Sequence, residues 1–235
     1  MTSRPRRAYR TASIAEADGT FVILLDGRPV RTPAKAALAV PSRALAEAIA
    51  GEWEAQGERV DPDSMPLTRI ASIAIDLVAP RRAGVVAEIA KYAGTDLVCY
   101  RAEHPRELVA RQEAHWQPLV AWTRERYGAA LAVTAGIVPA DQPDDAIRTL
   151  TEAVAAHDSM KLAALHLATA SCGSIVVALA LAEGRLDADS AFAAAELDQT
   201  FEIERWGEDA EMTRRRAGLK AEIAAAARFL ALLAA

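Results

Sequence analysis

Only two cysteines, Cys99 and Cys172, occur in the 235-residue chain. They lie far apart without a CxxC spacing, which excludes a metal knuckle and lends no support to a disulfide framework. Two reduced, half-buried thiols are expected. The glycines are scattered, and neither GxxxxGK[ST] nor GxGxxG occurs, so no phosphate-cradling loop and no nucleotide cofactor are expected. The GxSxG elbow of serine hydrolases is missing too. Histidine is confined to His104, His115, His157 and His166; the first two are about three helical turns apart, too far to share a metal, and all four are expected to be structural or surface groups. No metal is expected. Basic charge is in deficit, with 27 Lys and Arg against 32 Asp and Glu and a net charge of -5, so nothing favours a nucleic-acid partner. No apolar run follows the N-terminal arginines, which argues against a secretory signal and for the cytoplasm, or the mitochondrial matrix in a eukaryotic cell.

What is present fits a soluble, well-packed protein: 52% hydrophobic and 25% charged residues. Arginine greatly outnumbers lysine beside abundant alanine, a bias expected of a GC-rich bacterial genome. The most apolar run, Leu165 to Ala182, has the length of a membrane span, but His166, its hydroxyl residues and the central Gly173 mark it as one buried core helix.

The pattern predicts an α+β protein in two parts: a small N-terminal α/β domain of antiparallel strands plus helices, residues 1–80, then a larger all-α helical bundle, residues 81–235. Residues 8–40 read as strands, with FVILL, a tight turn at Asp26-Gly27 and a resumption at ALAV. Ser42 is the expected N-cap of a helix in which Leu45, Ile49 and Trp53 share a face, and Pro66 opens the next. Beyond Ala79-Pro80-Arg81-Arg82 strand signals become rare. Helices are expected over 83–93, 105–127 with a bend at Pro118, 143–157, 160–183, 187–206 and 209–233, with VCY and LAVTA as short extended pieces.

Candidate chemistry is sparse. Ser171, Cys172 and Ser174 with His166 nearby are the ingredients of a nucleophilic site, but five residues along a helix turn His166 and Ser171 roughly 140° apart. A small hydrolase using Ser171 to Ser174 is the enzymatic alternative. More distinctive is LDQTFEIERWGEDAE, Leu197 to Glu211. As a helix it places Leu197 and Phe201 on one stripe and Ile203 and Trp206 roughly opposite, with carboxylates between. A second apolar face among acids points to deep burial or a docking surface.

Three segments in order, EWEAQGERVDPDSMPLTRIASIAID at 52–76, YAGTDLVCYRAEHPRELVARQEAHWQPLVAW at 92–122 and FEIERWGE at 201–208, resemble the assembly chaperones of the F-type ATP synthase. These hold the α subunit of the F₁ head before it joins β. The resemblance implies a two-domain, non-enzymatic, cofactor-free protein that transiently binds unassembled α subunit; a monomer is expected, with no nucleic acid and no membrane insertion. Trp53, Met65, Pro66, Leu67, Thr68, Asp76, Thr95, Asp96, Gln112, Trp116 and Gly207 match the family pattern and are assigned to folding, with Trp53, Leu67 and Trp116 as core anchors. Glu202, Glu204, Trp206 and Glu208 are the candidate client-binding residues. After Glu208 the family continues with further acids and a His, whereas this chain reads DAEMTRRR.

Overall fold

The computed structural model describes residues 4–136 and 140–235. The chain clusters into two compact units. The first holds the chain through Arg82 with Ser159–Ala164 and Arg228–Ala235; the second holds Ala83–Asp158 and Leu165–Ala227.

In the first unit, β1 (Ala12–Ala17) and β2 (Thr20–Leu25) form an antiparallel hairpin in which Ala12 faces Leu25 and Ala17 faces Thr20. The other side of β2 pairs with β3 (Arg28–Pro29) and β4 (Ala39–Val40), both antiparallel. Two Asp-Gly pairs close these hairpins. Asp18-Gly19 and Asp26-Gly27 all have positive φ, the geometry of a two-residue turn whose twist matches the strands. Of the two, only Asp26-Gly27 is an expected turn.

Helix α1 (Arg43–Glu54) begins where Ser42 accepts the Leu45 N–H, and the Ser42 hydroxyl also donates to the Leu232 carbonyl. Its Leu45 and Ile49 are fully buried together with Ile23, Leu38 and Val40 from the strands, so one apolar face of the helix covers the sheet. Helix α2 (Pro66–Ile73) has proline in its first turn, where no N–H is required. Its free N–H groups find a cap from α1: Glu52 accepts from Leu67 N and Thr68 N at 2.8 Å each and from the Thr68 hydroxyl at 2.7 Å. The helix then widens into a π turn at Ala74–Val78.

The second unit is helical. It comprises α3 (Arg82–Ala90, from Ala83), 3-10 turns at Lys91–Thr95 and Leu97–Cys99, and α4 (Arg106–Tyr127), which runs through Pro118 and ends on a left-handed Gly128. It continues with α5 (Asp144–Ala155), most of α6 (Ser159–Cys172), α7 (Ile175–Ala182), α8 (Ala188–Ala195), α9 (Leu197–Trp206) and most of α10 (Ala210–Ala234). The extended pieces β5 (Tyr100–Arg101) and β6 (Thr134–Ala135) pair in parallel. Helix α7 is the centre of this unit, with every residue from Ile175 to Leu181 buried.

Two long helices expected from periodicity are each a pair. The run 160–183 breaks at Gly173, which has φ +63°, because the Ser174 hydroxyl caps a new helix by accepting Val177 N–H at 3.0 Å. The run 187–206 breaks at Glu196, whose side chain accepts from both Arg215 and Arg216. Both thiols are fully buried rather than half-buried. The last helix packs down, with Ile223, Ala226, Phe229 and Leu230 buried. Among the described residues no helix is long and apolar enough to cross a membrane.

Candidate functional site

Helix α9 is anchored from one side. Leu197 and Phe201 are buried, and the Phe201 ring lies under two guanidiniums, with Arg205 at 4.0 Å and Arg111 at 5.2 Å from its centroid. The same two arginines clamp α9 to α4: Arg111 pairs with Glu204 at 2.7 Å, and Arg205 pairs with Glu107. The hydrogen bond from Arg111 holds the Glu204 carboxyl below its usual range. Gly207, at φ +84°, then stops the helix, and Glu208 folds back to Arg216 at 3.3 Å. Glu202 accepts from Gln199 Nε2 at 3.2 Å.

Trp206 stands at the end of this anchored helix and is 77% exposed. Fixing the helix while leaving a large indole in solvent fits a contact surface rather than a core. Ile203, expected on the same face, is half-buried. Two of the three arginines of the divergent DAEMTRRR segment are spent inside the unit: Arg215 and Arg216 bind Glu196 at 2.8 and 2.9 Å.

The remaining motif residues divide between the units. Trp116 is fully buried and donates from Nε1 to the Ala194 carbonyl at 2.9 Å. Gln112, also buried, accepts Ala102 N–H at 2.8 Å and donates to Asp198 at 2.8 Å, tying β5 to α9. Burial raises the Asp198 carboxyl. Asp96 is fully buried and accepts from the Ser174 hydroxyl at 2.6 Å and from Val98 and Val176 N–H at 3.1 Å each. Burial pushes its carboxyl up to about 6 against these bonds, which favour the charged form. Thr95 is exposed. In the first unit Met65, Leu67 and Thr68 are buried, Pro66 opens α2, and Asp76 accepts from the Thr32 hydroxyl at 2.7 Å and Ala34 N–H at 2.9 Å. Trp53 is not a buried core anchor: it is half-buried, edge-on to Tyr9, and forms a wall of an open cleft.

The segment Ser171 to Ser174 offers poor ground for nucleophilic chemistry. Ser174 is buried and bonded to Asp96, and Ser171 donates to Glu222 at 2.9 Å. Burial pushes the Cys172 thiol up to about 12, so almost none is thiolate at neutral pH. His166 lies 3.5 Å from Glu88 instead. Among the described residues no three His, Cys, Asp or Glu side chains gather as metal ligands would.

Sequence reasoning missed the groups that fix α9, Arg111 and Glu107, although both lie within the family-like segment. An i, i+4 pair of opposite charge on α4 gives no hint that each partner reaches another helix. It also missed Glu52 as the cap of α2, since a cap supplied from a different helix leaves no local spacing signal.

The family model described as ATP12 chaperone protein matches residues 6–124. Atp12 from Paracoccus denitrificans is similar in structure, with a TM-score of 0.93 at 41% identity over 97% of this chain and 98% of that one. A mutant form of P. denitrificans Atp12p gives 0.94 at 40% identity over 98% of this chain and 100% of that one. In sequence, the mitochondrial protein atp12 of Schizosaccharomyces pombe is 25% identical over 214 residues, 86% of this chain and 74% of that one.

Proposed function

The chain belongs to the ATP12 chaperone family, and on that premise we propose that it is an ATP-independent assembly chaperone for the F-type ATP synthase. Its client is the unassembled α subunit of the F₁ head, which it binds transiently, as a monomer in the cytoplasm, and keeps from aggregating until β takes its place.

The observation that carries this reading is Trp206, 77% exposed on a helix end that two ion pairs and a buried Phe201 hold in place. An aromatic side chain presented on a rigid support loses little conformational freedom on binding and is the usual centre of a contact hot spot. Glu202, with Glu204 and Glu208 already paired to Arg111 and Arg216, makes a polar rim that sets register more than affinity. Modest affinity suits a holder that must surrender its client to a permanent partner. No bond is made or broken, so the buried positions of Ser174 and Cys172 are in keeping with the role.

Trp206→Ala tests the reading. It is expected to leave the circular dichroism spectrum and melting temperature of the protein unchanged and to weaken capture of α subunit at least about tenfold. A variant that unfolds would make Trp206 a structural residue; one that captures α as well as the unaltered protein would place the client elsewhere.

A further inference from the structure

In the first unit, α1, α2 and the loop after β3 enclose a cleft of about 760 Å³ that the α9 site does not use. Val30, Leu38, Met65 and Trp53 line it, and Ile73 and Leu77 stand at its rim. These two are 39% and 52% exposed, and with Val133 and Trp206 they are the exposed large apolar side chains among the described residues. The π turn at Ala74–Val78 carries Leu77 and Asp76, an interruption of regular winding of the kind that accompanies binding sites.

The polar groups of the cleft are unequally satisfied. Of its acids, Asp76 accepts from Thr32 and Ala34, and Asp63, exposed to solvent, lies 3.5 Å from Arg4. Two of its cations have no acidic partner: Arg31 and Arg69 are exposed and take part in no ion pair among the described residues, and Arg31 donates to the Lys35 carbonyl at 3.5 Å. Trp53 Nε1 is buried without an acceptor, alone in this among the described side-chain nitrogens and oxygens. Such a group is ordinarily paired. The cleft therefore presents an apolar body and two guanidiniums without an ion-pair partner.

We infer that this cleft is a second docking site, which takes a short extended segment of polypeptide in which an Asp or Glu lies beside large aliphatic residues. The aliphatic side chains fill the cavity against Val30, Met65 and the Trp53 ring, and the carboxylate pairs with Arg69 or Arg31. The inference rests on the chaperone reading only in taking the occupant to be a polypeptide.

The probe is a fluorescein-labelled peptide of Ala, Leu and Val with one central Glu, compared by anisotropy with the same peptide carrying Lys or Gln there. The Glu peptide is expected to bind, and the Lys peptide about tenfold more weakly. Arg69→Glu, at an exposed position that leaves folding intact, is expected to reverse that order. Trp53→Leu, which trims the apolar wall, is expected to weaken all three peptides by a similar factor, about fivefold. Trp206→Ala is expected to change none of them, so failure of the α9 site and failure of the cleft are read separately. Equal binding of the Glu and Lys peptides, or no reversal in Arg69→Glu, overturns the inference. So does binding of decanoate at the cleft with no binding of any peptide, which would make the occupant a small amphiphile.

Discussion

Asp96→Ala leaves three buried donors, the Ser174 hydroxyl and the Val98 and Val176 N–H groups, without the carboxylate that accepts from them. Each such group costs roughly 1–3 kcal/mol when unsatisfied. Against this, the substitution removes a buried charge: lifting the carboxyl from 3.8 to about 6 makes the ionised form roughly 3 kcal/mol costlier to the fold than the protonated one. The net loss at neutral pH is expected to be about 2–4 kcal/mol. The sign of the pH dependence follows from the direction of the shift. Between about pH 4 and pH 6 the folded state keeps a proton that the unfolded chain has released, so the stability contributed by Asp96 is full below about pH 4 and is lost as pH rises through about 6. Alanine has no such titration. The gap between the unaltered protein and Asp96→Ala is therefore expected to be wider at about pH 5 than at about pH 7.5, by roughly 1 kcal/mol. Urea unfolding at the two pH values, with equal m-values, measures it. A gap that narrows at the lower pH, or a loss under about 1 kcal/mol at neutral pH, would refute the reasoning.

Two further outcomes are expected. Trp116→Phe loses the hydrogen bond to Ala194 and part of a fully buried ring, and should cost about 2–3 kcal/mol in the same assay; an unchanged midpoint would show that the site closes without it. Burial pushes both thiols up to about 12, so iodoacetamide should leave Cys99 and Cys172 unlabelled at mildly alkaline pH until the protein is denatured. Labelling of native Cys172 as fast as a free thiol would reopen the hydrolase reading.

Local signals carried much of the fold. Asp26-Gly27, the Ser42 cap, Pro66 and the periodicity of α1, α4 and α5 each specify their own stretch of backbone, and the structure places those elements within a few residues of expectation. The breaks at Gly173 and Glu196 were less legible because both depend on distant partners. Ser174 had to be recognised as a cap held by Asp96, and Glu196 as a residue held by Arg215 and Arg216. Trp53 shows the same limit. Periodicity put it on the face of Leu45 and Ile49, yet it lies at the end of that face, where the core gives way to the cleft. Trp206 was legible as the apolar residue out of place among acids, but nothing in its neighbourhood showed that Arg111 and Glu107 fix the helix beneath it.

The proposed role of this chain is to hold unassembled α subunit and yield it to β. The direct measurement is light scattering of isolated α subunit diluted from denaturant, with the purified protein at up to equimolar ratio and no ATP, followed by addition of β. Scattering is expected to be suppressed, and β to displace the chaperone into the free pool. Aggregation as fast as in buffer alone, or a complex that β cannot dissolve, would contradict it.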